Sequence, residues 1–456
     1  MRPHSAAPPA TSDLSGPSDP ARRAGLRARR SARRLVAVLT GALLLAAAPA
    51  TSAEPAHRGD NSSSWTGTWA AAPTAAPASD TTAFENETIR QTVRTSIGGD
   101  RVRIRLSNEF GSGPLVVGEA RVARPATGGP SSRIDPRTDR PLTFGGRTAV
   151  TVPAGAPLLS DPVALKVPAG TDLVVSIHLP GPTPGSTLHS MALQHNHVAA
   201  GNVTGRAVIE PTSTMDRWYF LTGVSVSTAR SSSAVVTLGD SITDGADTGV
   251  DANHRWPDFL AERLRASAGP DAVGVLNQGI SGNRLLHDPN PPAGSDAENF
   301  AAHFGQSALR RFDRDVASQP GAEHLVVLLG VNDLGHPGTV APESERVTAA
   351  DLIGAHRQII ARAHERGLKA YGGTVLPFKN DTLGFYTPEN EAARQALNHW
   401  IRTGGEYDAV IDFDRALRDP SDPQRLLARY DSGDHLHPND AGAEAMARAV
   451  PLRLLR

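Results

Sequence analysis

From Trp65 to about Thr228, hydrophobic and polar positions alternate with a period of two. Ile89, Val93 and Ile97 share one face. After Gly98-Gly99-Asp100, Val102, Ile104 and Leu106 alternate with Arg101, Arg103 and Arg105. Alternation of this kind puts apolar side chains on one face of a strand and arginines in solvent, so the pair predicts a hairpin. Val163, Leu165 and Val167, the turn Pro168-Ala169-Gly170-Thr171, and Leu173, Val175, Ile177 and Leu179 predict a second hairpin. No long stretch in this half has helical periodicity. Many short strands between Gly/Pro turns predict an all-β sandwich of jelly-roll type over residues 64–228. Ser225 to Ser233, rich in Ser and Thr, reads as a linker.

Beyond that point the period switches. Ala234–Leu238, Val273–Leu276, Leu325–Leu329, Leu368–Thr374 and Ala409–Ile411 read as buried strands. Between and after them, helices are predicted around Trp256–Leu264 and over Thr348–Arg366, Glu389–Arg402 and Ala441–Val450. Strand alternating with helix implies a parallel sheet covered on both sides. The expectation for residues 229–456 is therefore α/β: a flavodoxin-like, three-layer α/β/α domain on a parallel five-stranded sheet, with its ligand site beyond the C-terminal strand ends.

Composition changes the picture mainly at the N-terminus. Arg22, Arg23, Arg27, Arg29, Arg30, Arg33 and Arg34 precede an apolar run, Leu35 to Ala48, that is short and Ala-rich for a membrane span. Thr51-Ser52-Ala53 offers small residues for cleavage. Residues 1–53 are thus expected to be a signal peptide, with Arg33-Arg34 also compatible with twin-arginine export, and 54–63 a flexible linker. The mature protein would be secreted and extracellular, with no stable membrane insertion after signal cleavage. The signal segment carries eight Arg and two Asp, so its removal takes a chain of net charge −1 to about −7. A mildly acidic product argues against nucleic acid as a partner. With no cysteine, disulfides, thiolate catalysis and Cys-type zinc sites are excluded.

Four short motifs in the C-terminal half carry chemistry: Gly239-Asp240-Ser241-Ile242-Thr243, Ser281-Gly282-Asn283, Gly330-Val331-Asn332-Asp333 and Asp434-His435-Leu436-His437-Pro438. Ser241 follows a strand directly and is the candidate nucleophile, which needs a base to take its proton; a helix N-cap is its ordinary alternative. His437 is the candidate base. Asp434, three residues earlier, can reach the far ring nitrogen to set the tautomer and stabilise the imidazolium. The alternatives are a solvated loop histidine, or a metal site using His435 and His437. Candidate oxyanion donors are the backbone N–H groups of Ser241 and Gly282 and the amide of Asn332. A plain turn glycine and an Asx-turn asparagine are the bland readings of the last two. Asp240 and Asp333 read as carboxylates that fasten loop backbone. A two-carboxylate glycosidase is the competing reading, and it leaves Ser241 and His437 without roles.

Over residues 234–450 these motifs resemble the signature blocks of the SGNH (GDSL-type) hydrolase superfamily. The resemblance implies Ser241 as nucleophile, Gly282 and Asn332 in the oxyanion hole, and Asp434 with His437 completing a triad. It also implies a three-layer α/β/α fold, no metal or cofactor, and hydrolysis of esters or thioesters. Ser-Ile-Thr stands where the founding motif has Ser-Leu, a variant usual in the lysophospholipase-like and carbohydrate-esterase-like branches. An exported β-domain beginning Trp65-Thr66-Gly67-Thr68-Trp69 is similar to that of secreted actinobacterial esterases.

The function expected is that of a secreted serine esterase acting on a small-molecule or polysaccharide ester. The loop Arg284 to Phe300, rich in Pro, Asn and Asp, favours short acyl or acetyl groups over long chains. A lysophospholipase or lipase-type acylhydrolase and a non-catalytic glycan-binding protein are the alternatives.

Overall fold

The computed structural model describes residues 64–127, 132–228, 232–268 and 273–455. The expected signal peptide and the 54–63 linker lie outside them. The described residues all fall in one compact unit. Among the described residues, no helix is long and apolar enough to cross a membrane.

The first part is a sandwich of two antiparallel sheets. One sheet runs in the order Ser64–Ala70, Leu221–Thr228, Gly99–Ser107 and Pro157–Leu159, with Val163–Val167 also on Gly99–Ser107. The other centres on Glu87–Arg94 paired with Asp172–Leu179 on one side and Asn196–Ala200 on the other. Val102, Ile104, Leu106, Val224 and Val226 from the first sheet meet Ile89, Val93, Val175 and Ile177 from the second in one core.

Neither predicted hairpin forms. Glu87–Arg94 and Gly99–Ser107 lie in different sheets, and so do Val163–Val167 and Asp172–Leu179. At each turn the chain crosses the core instead of folding back in plane. The two crossings support each other: Thr95 N–H donates to the Thr171 carbonyl (2.9 Å) and Gly170 N–H to the Thr95 carbonyl (2.9 Å). Alternation fixes which face turns inward, and an in-plane hairpin and an arch both satisfy it. The expected linker is also largely strand. Ser225–Thr228 ends one strand and Ser233 begins the next.

The second part has a five-stranded parallel sheet in the order Val273–Gly279, Ser233–Gly239, Ala322–Leu328, Lys369–Gly373, Ala409–Ile411. This is the flavodoxin-like order expected. Strand bounds agree within a few residues because the inner strands carry apolar runs that are buried on both faces. Helix Trp256–Ala268 packs with Asp440–Ala449, and Ala349–Glu365 with Pro388–Thr403, giving the three-layer α/β/α arrangement. Thr348 closes a capping box with Asp351, and Thr387 caps the helix that begins at Pro388. Both are helix-start signals.

The two parts share an edge. Strand Ser64–Ala70 lies beside Val273–Gly279, the outer strand of the parallel sheet. Gly67 N–H donates to the Pro320 carbonyl (2.8 Å), and Val275 N–H to Ser96 Oγ (3.0 Å). Ala70 belongs to the α/β core. The sandwich thus covers a sheet edge that would otherwise stand open.

Candidate active site

Three loops leave the parallel sheet at one level. Gly239 is in register with Gly279 on one neighbour and with Leu328 on the other. Ser241, Ser281 and Gly330 each lie two residues further on, so the first three motifs emerge side by side at the C-terminal edge. Gly279 has no side chain because the next turn is pressed onto it: a Cβ there would stand 2.3 Å from the Asp244 backbone nitrogen. Gly282 has φ +76°, and a Cβ would meet the Phe304 ring at 2.0 Å. Only glycine fits both the conformation and the space.

Ser241 opens a single helical turn, Ser241–Asp244, whose N-cap is Asp240: its Oδ1 accepts from the Ile242 N–H at 3.1 Å. The capping role therefore falls to Asp240, and the Ser241 hydroxyl is available. Ser241 Oγ lies 2.7 Å from His437 Nε2. His437 Nδ1 in turn lies 2.5 Å from Asp434 Oδ2. Asp434 is itself fastened, its Oδ1 accepting from the backbone N–H of Leu436 (2.9 Å) and of His437 (2.8 Å) and from Ser432 Oγ (2.9 Å). Pro438 bridges to Asp431, and Asn439 caps the helix Asp440–Ala449, so His437 sits on a braced loop just before a helix.

Electrostatics follow from this placement. Burial disfavours the His437 imidazolium. The hydrogen bond and charge of Asp434, with the charges of Asp247 and Asp240, outweigh it and raise the pKa above 6.5. Burial would raise Asp434, but its bonds to His437 hold it well below the usual carboxylate range. Asp240, fully buried, is pushed up to about 7 by desolvation. Burial raises Asp333 as well, against the two backbone N–H groups of Leu285 (2.7 Å) and Leu286 (3.0 Å) that it accepts from. Asp240 and Asp333 therefore hold backbone, as their positions suggest, and do not pair as two free carboxylates.

Asn332 is buried at the start of the short helix Val331–Gly335, and its Nδ2 donates to the Asn283 carbonyl at 3.0 Å. An amide nitrogen carries two hydrogens. One fixes the plane on the loop next to Gly282, and the other can serve a substrate oxygen. Ser241, His437 and Asp434 thus come together directly, while Gly282 and Asn332 are joined through Asn283.

His435 does not join them. Its Nδ1 takes Asp431 Oδ2 at 2.6 Å. Asp247, Asp434 and His437 do present ligand-capable atoms within 4.8 Å of one another. Both ring nitrogens of His437, however, are engaged by Ser241 and Asp434, so the donor set suits proton transfer better than a cation.

Four participants escaped the sequence reading. Arg311, fully buried, donates to the carbonyls of Gly239 (3.0 Å) and Gln278 (2.8 Å) and to Asn283 Oδ1 (3.1 Å), tying two strand ends to the second motif. Asp247 Oδ2 stands 3.5 Å from His437 Nδ1, on a backbone with φ +63°. Asp244 and His189 form a buried pair across the two parts of the molecule. Asp244 lies one turn after Ser241, a spacing that could have drawn attention to it. Nothing in the sequence around His189 or Arg311 marks them.

Residues 237–445 match the model of the GDSL-like Lipase/Acylhydrolase family. Among curated proteins, the chain is similar to the uncharacterized esterase YxiM of Bacillus subtilis (strain 168), with 27% identity over 147 residues, 30% of this chain and 35% of that one. It therefore spans about a third of that relative's length. Among solved structures it is similar to the aryl esterase of M. smegmatis (16% identity, 49% of this chain, 99% of that chain, TM-score 0.36). Another is Axe2, an acetylxylan esterase from Geobacillus stearothermophilus (18% identity, 49% and 94%, TM-score 0.35).

Proposed function

We propose that this chain, which belongs through residues 237–445 to the GDSL-like lipase/acylhydrolase family, is a carboxylic ester hydrolase working as a serine esterase. His437 takes the proton of Ser241 as its Oγ attacks the acyl carbonyl. The N–H groups of Ser241 and Gly282 and the free hydrogen of the Asn332 amide hold the resulting oxyanion. His437, its charge matched by Asp434, then protonates the leaving alcohol. Water, deprotonated by the same imidazole, releases the acid from the acyl-enzyme.

One observation carries the reading: the unbroken chain from Ser241 Oγ to His437 (2.7 Å) to Asp434 (2.5 Å). Replacing Ser241 by Ala tests it. Hydrolysis of p-nitrophenyl acetate should fall by ~10⁴–10⁶-fold, as for serine hydrolases that lose their nucleophile. A rate equal to the parent's would exclude the mechanism.

For the substrate, the reading is short acyl or acetyl esters. Support comes from the polar bonds that hold the Arg284–Phe300 loop. Arg284 is buried against Glu345 (2.6 Å), Asn290 also bonds Glu345 (2.6 Å), and Asp288 pairs with Arg310. A higher kcat/KM on palmitoyl than on acetyl p-nitrophenyl esters would overturn this choice. Export follows from the N-terminal sequence, and a mature N-terminus near Glu54 in culture medium is the result expected.

A further inference from the structure

The segment Thr187–Ala192, whose strand pairs with Thr74–Ala75 and Trp218–Tyr219 in a small sheet beside the sandwich, packs Leu188 and Ala192 into the sandwich core yet reaches the turn that carries Ser241. His189 is 5% exposed. Its Nδ1 lies 2.9 Å from the Ala72 carbonyl oxygen and its Nε2 2.9 Å from Asp244 Oδ1. A carbonyl only accepts, so Nδ1 carries a hydrogen. An ionised carboxylate only accepts, so Nε2 carries one too. The ring is then an imidazolium facing a carboxylate. Burial opposes that charge, and Arg255 repels it. Asp244, by charge and hydrogen bond, with the Ala72 carbonyl, outweighs both and raises the pKa.

The second oxygen of Asp244 points the other way. Oδ2 accepts from the Ser281 N–H at 2.9 Å and from the Ser281 hydroxyl at 3.0 Å. Ser281 immediately precedes Gly282. Arg255 secures the same point, its Nε donating to the Asp244 carbonyl (2.7 Å) and a terminal nitrogen to the Ala192 carbonyl.

We propose that the sandwich is a positioning element for the oxyanion site: His189, through the Asp244 carboxylate, holds the Ser281–Gly282 loop so that the Gly282 N–H faces the developing negative charge. This rests on Gly282 being an oxyanion donor, as assigned above. A backbone donor helps only if it is already aimed when charge develops. Gly282 has no side chain with which to anchor itself, so its neighbour's two bonds to Asp244 do the anchoring. Without His189, one oxygen of the buried Asp244 carboxylate would face a lost partner, a state that favours its movement. His189 touches no reacting atom.

Two variants of similar size separate hydrogen bonding from packing. His189→Gln keeps a donor toward Asp244, and His189→Met fills the space and donates nothing. On p-nitrophenyl acetate with the full chain, His189→Met should lose ~10–100-fold in kcat with KM little changed, and His189→Gln should recover most of the loss. A short alkylboronic acid, which forms a tetrahedral adduct on the serine, should lose affinity in step with kcat. Gln194→Ala breaks a separate sandwich contact, to Asp251 (2.6 Å), and should keep the parent's kcat. Should His189→Met not fold, Asp244→Asn, which weakens the acceptor for both His189 and Ser281 at unchanged size, takes its place with the same expected loss. Equal kcat in the Met and Gln variants, or a Gln194→Ala loss as large as that of His189→Met, would overturn the proposal. Ser241→Ala, run alongside, separates the two levels. If it stays active, the oxyanion assignment falls with the triad. If it is inactive while His189→Met matches the parent, only the role of His189 falls.

Discussion

The sandwich and the α/β part are built from similar apolar strands, yet their sequences reveal different things. In the α/β part, the strands follow chain order across the sheet except that the second, Val273–Gly279, lies outside the first, and one-handed crossovers leave few other arrangements. In the sandwich the partners are remote. Ser64–Ala70 pairs with Leu221–Thr228, the first strand with the last. The two parts also divide labour unequally. The α/β part carries the motifs, whereas the sandwich covers the edge of its sheet and lends it His189. A region without a catalytic motif can still belong to the site when it supplies what holds that site in shape.

The strongest way to break this comparison is to separate the parts. Residues 232–455 alone would leave strand Val273–Gly279 as an open edge, with the Val275 N–H stripped of Ser96 Oγ and Asp244 stripped of His189. Ala70 would be missing from the core. This fragment should lack a cooperative thermal transition by circular dichroism and lack esterase activity. Residues 64–228 keep their own core and pair their first strand with their last, so they should melt cooperatively. A soluble, fully active 232–455 fragment would show that the sandwich is dispensable to the chemistry.

Two buried asparagines sharpen the comparison within the intact chain. Asn332 spends one amide hydrogen on the Asn283 carbonyl (3.0 Å) and stands beside the proposed oxyanion. Asn108, in the sandwich, donates to the carbonyls of Gly113 (2.8 Å), Val152 (3.1 Å) and Pro153 (3.2 Å). Asn332→Ala should lower kcat by ~10²–10³-fold and disturb the melting temperature less. Asn108→Ala should leave the kcat of the folded protein unchanged and cost about 1–3 kcal/mol in urea unfolding, because the buried carbonyls lose their donor. If both substitutions move stability and neither moves kcat, Asn332 is a scaffold residue like its counterpart.

How far the sequence could be read follows the same divide. The order of the parallel strands, the helices over Thr348–Arg366 and Glu389–Arg402, and the meeting of Ser241, His437 and Asp434 were legible because each depends on residues close in sequence or on a topology with few options. The arches at Gly98–Gly99 and Pro168–Thr171 were not. Period-two alternation states the face and is silent on the partner. Arg311 and His189 were invisible for another reason. A buried Arg or His is marked by the remote carbonyls and carboxylates around it, and no local pattern records those.

The smallest expected effect concerns charge near the base. His437 must be neutral to accept the Ser241 proton, so kcat/KM should rise with pH through an inflection above 6.5, the direction in which its pKa is shifted. The carboxylates responsible are Asp434, Asp247 and Asp240, and Asp247 is the one outside both the triad and the capping turn. Its carboxylate is half exposed at 3.5 Å from Nδ1, so solvent screens it and its removal should be mild. Asp247→Asn removes a negative charge that favours the imidazolium. The inflection should therefore move to lower pH, raising kcat/KM on the acid side and leaving the alkaline plateau close to the parent's. Asp240, pushed up to about 7 by burial, ionises in the same range, so the parent profile should be broader than a single titration. An inflection that stays in place in Asp247→Asn would mean that Asp434 alone, with Asp240 behind it, sets the charge of the base.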